Sequence, residues 1–194
     1  MRKGGDHETV SQEYSFNSFC SNYWLCWLQP IYGEGHTHCS PPLEKAMVYF
    51  MRPSGMGFAV NFQIWDGSHF VGLSQAKSYF DYECDPGKHL FFGIAENRVA
   101  IEADLVAGKS YYIGTNVRVG AWKARMDFTP VTRGSELWGK VEEYKKSLNF
   151  VAAREEDRAK WEAAKKQEAQ SITDYFSTGE GRTQVLRLNK EDGR

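Results

Sequence analysis

Five histidines, four cysteines and the carboxylates scattered through the central apolar segments are the residues of this chain that could do chemistry. His69 and His89 each fall in an alternating segment, where an imidazole beside a carboxylate could serve as a general base. A hydrolase would also need an activated nucleophile, and no G-x-S-x-G accompanies either histidine. Both are expected to be partly buried strand residues. His36, His38 and Cys39 carry zinc-binding groups but lie among Gly33, Gly35 and Pro41 with no evident fourth ligand, so an exposed loop is expected. Asp81, Glu83 and Asp85 are spaced like the first ligands of a calcium loop. Pro86 then stands where that loop needs Gly, and Phe92 where it needs a bidentate Glu. Alternation places Asp81 and Glu83 on a solvated strand face instead. Gly55-Met56-Gly57 lacks the third glycine of a dinucleotide fingerprint, with Val60 in its place, and leads into a strand where a helix is required. Tyr79, Tyr82, Tyr111, Tyr112 and Trp122 could make a stacking platform for a small ligand, although strand aromatics more often pair across a sheet or fill a core. Cys20, Cys26, Cys39 and Cys84 form no C-x-x-C pair and match no zinc-ribbon spacing, so ordinary thiols are expected. No catalytic, cofactor-binding or metal-binding residue is assigned, and no cofactor is expected.

The elements that must position these groups are strands. Lys45 to Met51 alternates Ala46, Val48 and Phe50 with Met47, Tyr49 and Met51, and both faces are apolar, as a central strand requires. Arg52-Pro53-Ser54-Gly55 is turn chemistry. Val60, Phe62 and Ile64 alternate with polar neighbours, and Asp66-Gly67 predicts a two-residue hairpin of type I′ pairing Val60–Trp65 with Ser68–Leu73. Further strands are read over Lys77–Glu83, Lys88–Ala95 and Val99–Leu105, then a short one at Tyr111–Ile113 and a longer one at Val117–Phe128. Asp85-Pro86-Gly87 and Ala107-Gly108-Lys109 are turns between them, with Gly87 and Gly108 suited to positive φ. No helical pattern intervenes, so residues 45–130 are expected to fold as an antiparallel β-sandwich of Ig or transthyretin type.

The period then changes. Leu137, Trp138, Val141, Tyr144 and Leu148 share one helical face, with Thr132 or Ser135 as cap. Arg154 to Glu168 is charged but balanced, with favourable pairs at Glu156/Lys160 and Glu162/Lys166 and a narrow stripe of Trp161, Ala164, Ile172 and Phe176. Residues 134–176 are read as a helical extension docking one edge on the sheets, 177–194 as a loose tail, and 1–44 as a flexible N-terminal segment.

With 194 residues, 24 of them basic and 25 acidic, the chain can bury a core and lacks the electropositive character of a nucleic-acid binder. Its 41% hydrophobic content argues against disorder. No apolar run reaches the roughly 18 residues that a membrane helix needs. Met1-Arg2-Lys3 resembles the start of a leader, but Gly4-Gly5-Asp6-His7-Glu8 follow, and the apolar run Tyr23–Leu28 is short and late. Thr37 and His38 precede Cys39 where a lipid-anchor site wants a small residue, so neither a clean signal nor an anchor is read.

Val48-Tyr49-Phe50-Met51-Arg52-Pro53-Ser54-Gly55 resembles the opening of the bacterial domain of unknown function 2846. Val71-Gly72-Leu73, Ser78-Tyr79-Phe80, Asp85-Pro86-Gly87-Lys88-His89 and Leu105 to Ile113 fit the same order, over about residues 44–130. The resemblance implies a small β-sandwich of the bacterial cell envelope or periplasm, without established activity, and carries over no catalytic residue. The expectation is a non-enzymatic binding or scaffolding module whose partner is an unidentified protein or envelope component. A carrier using the aromatic strand face and a hydrolase using His69 or His89 are the alternatives.

Overall fold

A computed structural model of the chain describes residues 41–119 and 124–194. Expectations for His36, His38, Cys39, Trp122, Cys20, Cys26, the leader features and the segment 1–40 as a whole lie outside these residues.

The described chain is mainly β, with ten strands in two five-stranded sheets and two α-helices toward its C-terminus. In chain order the strands are β1 (Ala46–Arg52), β2 (Phe62–Asp66), β3 (His69–Ser74), β4 (Ser78–Cys84), β5 (Gly87–Ile94), β6 (Arg98–Leu105), β7 (Ser110–Val119) and β8 (Ala124–Pro130). Helix α1 (Glu136–Ser147), β9 (Asn149–Phe150), α2 (Glu155–Ser177) and β10 (Leu186–Leu188) follow. The first sheet runs β8-β7-β1-β4-β9 and the second β10-β6-β5-β2-β3.

Both sheets are mixed, which corrects the antiparallel expectation. β1 lies parallel to β7, β4 to β9 and β10 to β6. Alternation reports which face a residue takes and is silent on which strand lies beside it, so these remote pairings leave no local mark. The boundary after β7 is also corrected. Residues 114–116, read as a break, continue β7, and the strand read over Val117–Phe128 divides between β7 and β8.

β1 is the central strand its two apolar faces demand, and all seven of its residues are buried. Ala46, Val48 and Phe50 join Phe62, Ile64, Phe91 and Ile101 in a core drawn from both sheets. Met47, Tyr49 and Met51 face the other way, where Val141, Leu137 and Tyr144 of α1 cover them. On the second sheet, Trp65, Phe70 and Phe92 are covered by Ala169, Ile172 and Phe176 of α2. Trp161, Ile172 and Phe176 of the expected stripe dock, whereas Ala164 is exposed and Ala169 is buried instead, and the helix continues to Ser177.

The C-terminal stretch is held rather than loose. Leu188 is buried in the shared core, β10 pairs with β6, and Arg194 and Ser110 exchange two backbone hydrogen bonds at 2.9 and 3.0 Å. Leu186 and Leu188 are two apolar residues in a polar setting, too few to reveal a strand by period.

The β2–β3 hairpin forms with a two-residue loop, shifted by one position from the expectation. Asp66 pairs with His69, so Gly67 and Ser68 make the turn. Positive φ occurs at Gly67 (54°) and is absent at Ser68, which is the II′ pattern and excludes type I′. Gly87 and Gly108 both have positive φ, 130° and 72°. An alanine there is strained, so Gly108→Ala should lower unfolding stability by about 1 kcal/mol, read as an earlier denaturant midpoint at unchanged slope. A wild-type midpoint for both Gly108→Ala and Gly87→Ala would contradict the backbone assignment.

Candidate functional site

The one-residue shift of the hairpin turns Asp66 from a turn residue into a strand residue. It follows Phe62 and Ile64 in phase and so faces the space between the sheets. His89 follows the same logic on β5, in phase with Phe91, on which its ring stacks at 5.7 Å and 10°. Tyr82 on β4 comes from the opposite sheet, in phase with Phe80 and Cys84. At this end of the sheets the three side chains meet. Asp66 Oδ2 lies 2.7 Å from His89 Nδ1 and accepts a hydrogen bond from the Tyr82 hydroxyl at 3.3 Å. His89 Nε2 lies 2.8 Å from the carbonyl oxygen of Asp85, in the turn that starts β5. The Asp85 carboxylate is turned outward and pairs with Lys45 at 2.6 Å.

The chemistry of this cluster follows from its acceptors. A carbonyl oxygen only accepts, and an ionised carboxylate only accepts. Between these two acceptors both ring nitrogens of His89 are placed to donate, which favours the imidazolium form. Burial works against that charge, but the hydrogen bond and charge of Asp66, with the Asp85 carbonyl, outweigh it and raise the pKa above its ordinary value. Tyr82 is pushed upward too, by burial and then by the Asp66 charge. Cys84 is free and buried, its Sγ faces the Ala46 carbonyl at 3.9 Å, and burial pushes its thiol up to about 12. A neutral thiol is a poor nucleophile. The cluster is thus an ion pair clasping β2, β4 and the β5 turn, with neither a free base nor an activated nucleophile.

His69 does not join it. Its ring is largely exposed and lies 3.7 Å from Glu162 of α2, whose Oε1 also accepts the Phe70 amide hydrogen bond at 2.9 Å. A cleft of about 120 Å³ borders β5 on its α2 side, among Lys88, His89, Leu90, Glu102, Arg182 and Arg187. His89 borders this cleft while its two ring nitrogens are engaged by Asp66 and the Asp85 carbonyl.

Three of the four described residues of the expected aromatic platform are buried. Tyr79 and Tyr112 lie under α1 and Tyr111 in the shared core, at 4%, 2% and 0% exposure. Among the described residues no group of three His, Cys, Asp or Glu side chains could hold a metal, and Asp81, Glu83 and Asp85 do not converge on one.

The opposite end of the sheets carries a second polar feature, at Arg52. It continues the inward phase of Ala46, Val48 and Phe50 and is only 1% exposed. Nη1 donates to the carbonyls of Val60 (2.8 Å) and Ser74 (3.0 Å), and Nη2 to those of Met56 and Gly57 (both 2.9 Å). The guanidinium also lies 5.0 Å from the Phe62 ring centroid. Among the described residues no carboxylate pairs with it, and desolvation lowers its pKa. Arg52 thus shapes the 53–61 loop as a frame of backbone acceptors, a role the turn reading of Arg52-Pro53-Ser54-Gly55 did not contain. Its phase with Phe50 was the available signal.

No helix of the described residues is long and apolar enough to cross a membrane. Scans of the chain against protein-family models, curated proteins and solved structures found no match.

Proposed function

We propose that the chain is a non-enzymatic β-sandwich module, Ig or transthyretin-like in its layering, that acts by binding or scaffolding in the bacterial cell envelope. The observation that carries this reading is His89, the one histidine among the described residues that faces the space between the sheets, with both nitrogens engaged by acceptors. A general base must offer an unprotonated nitrogen to a substrate proton, and this ring offers none. The resemblance of the segments over about residues 44–130 to domain of unknown function 2846 is the support for the envelope assignment.

Full-length protein should show no turnover of esterase, phosphatase or peptidase substrates above a buffer control. Turnover that His69→Ala or His89→Ala removes, with circular dichroism unchanged, would replace the module reading by a hydrolase.

A further inference from the structure

The Arg52 frame holds a loop that exposes apolar side chains. Phe58 is 82% exposed, Met56 51% and Val60 39%, within five consecutive residues. Collapse of these side chains onto the protein would remove apolar area from water, but the loop is pinned by three carbonyl bonds to a buried guanidinium. Gly57, at φ 65°, lets the chain turn against Val117, and the Val60 amide closes back on the Gly57 carbonyl at 2.9 Å. The apolar tip is therefore preorganised rather than a fraying end.

Its surroundings are cationic. Lys77 packs along Gly55. Arg118, next after Val117 in β7, pairs across the hairpin with Arg125, and Arg98 opens β6 at the same end of the sheets. All four are exposed. The carboxylates at this end include Asp127, in an ion pair with Arg118, and Glu96 and Glu168, which lie beside Arg98. An exposed apolar tip flanked by Lys77, Arg118 and Arg125 matches the profile of an anionic bilayer, where aromatic and aliphatic side chains enter the acyl boundary and cations meet the phosphates.

We propose that the 53–61 loop docks the protein on an anionic lipid surface, with Phe58 inserted and Lys77, Arg118 and Arg125 at headgroup level. The proposal rests on the module reading and names its partner. The two fail separately, since turnover would leave vesicle binding untouched.

The test is flotation of the full chain with phosphatidylcholine vesicles, with and without phosphatidylglycerol. The expected result is binding that requires phosphatidylglycerol and falls with added salt. Phe58→Ser should weaken it about tenfold and Lys77→Glu by a similar factor. Both positions are exposed, so melting temperatures should match wild type. Three results would overturn the proposal: no binding to phosphatidylglycerol vesicles, equal binding by wild type and both variants, or a Phe58→Ser effect confined to self-association in sedimentation velocity.

Discussion

Arg52→Met is expected to lower the melting temperature by about 10 °C. The substitution removes four charge-assisted hydrogen bonds while roughly keeping the apolar stem over Phe62. The Met56 and Gly57 carbonyls belong to an exposed loop and regain water. The Ser74 carbonyl bond is buried, so its acceptor is left bare. Hydrogen bonds to charged groups are worth about 1.5–3 kcal/mol, and an orphaned buried acceptor costs a similar amount. Partial rehydration leaves a net loss of about 3 kcal/mol, and a chain of this size loses about 2–4 °C per kcal/mol. The loop should also gain amide exchange, because its frame is gone. Arg52→Lys should fall between, since one ammonium has three donors and cannot span two pairs of carbonyls. A melt of Arg52→Met within about 2 °C of wild type would show that the frame contributes nothing.

The second large effect is on pH dependence. The pKa of His89 is raised in the folded state relative to 6.5. Protonation therefore favours folding, and this stability is fully present below about pH 6.5 and is lost as pH rises through the folded value. Measured from about pH 5.5 to 8.5, below the range where Cys84 titrates, wild-type stability should fall with pH relative to His89→Gln. At the acid end the variant should be about 2 kcal/mol less stable, the worth of a hydrogen-bonded charge pair, with the gap closing toward the alkaline end. Asp66→Asn should flatten the profile in the same way. A gap that stayed constant, or widened, with rising pH would contradict a protonated His89.

Both effects sit at residues whose local pattern was readable and whose role was not. Arg52 and Asp66 each follow two or three apolar residues in phase, so their inward direction is implied by alternation. The pull of turn chemistry was stronger: Arg52 precedes Pro-Ser-Gly, Asp66 precedes Gly, and both were assigned to turns. The central strand was legible because both faces of Ala46–Arg52 are apolar, and the helices because period 3.6 begins at Leu137. The parallel neighbours of β1, β4 and β6 were not, because pairing between remote strands is decided by tertiary packing. The tyrosines show the same limit. Residues 79, 111 and 112 announced strands, but only the position of α1 and of the second sheet decides that they are covered. Phe58 carried no signal at all, since one phenylalanine in a Gly-rich loop reads the same whether it folds inward or stands in water.

The central claim is that the Asp66–His89–Tyr82 cluster is a structural clasp and His89 a spent base. Long-range nitrogen–proton correlation of the histidine side chains at neutral pH tests it directly. The account predicts that His89 shows the imidazolium pattern, with both ring nitrogens protonated. A neutral His89 with one unprotonated nitrogen at that pH would contradict the account and return this ring to the candidates for a catalytic base.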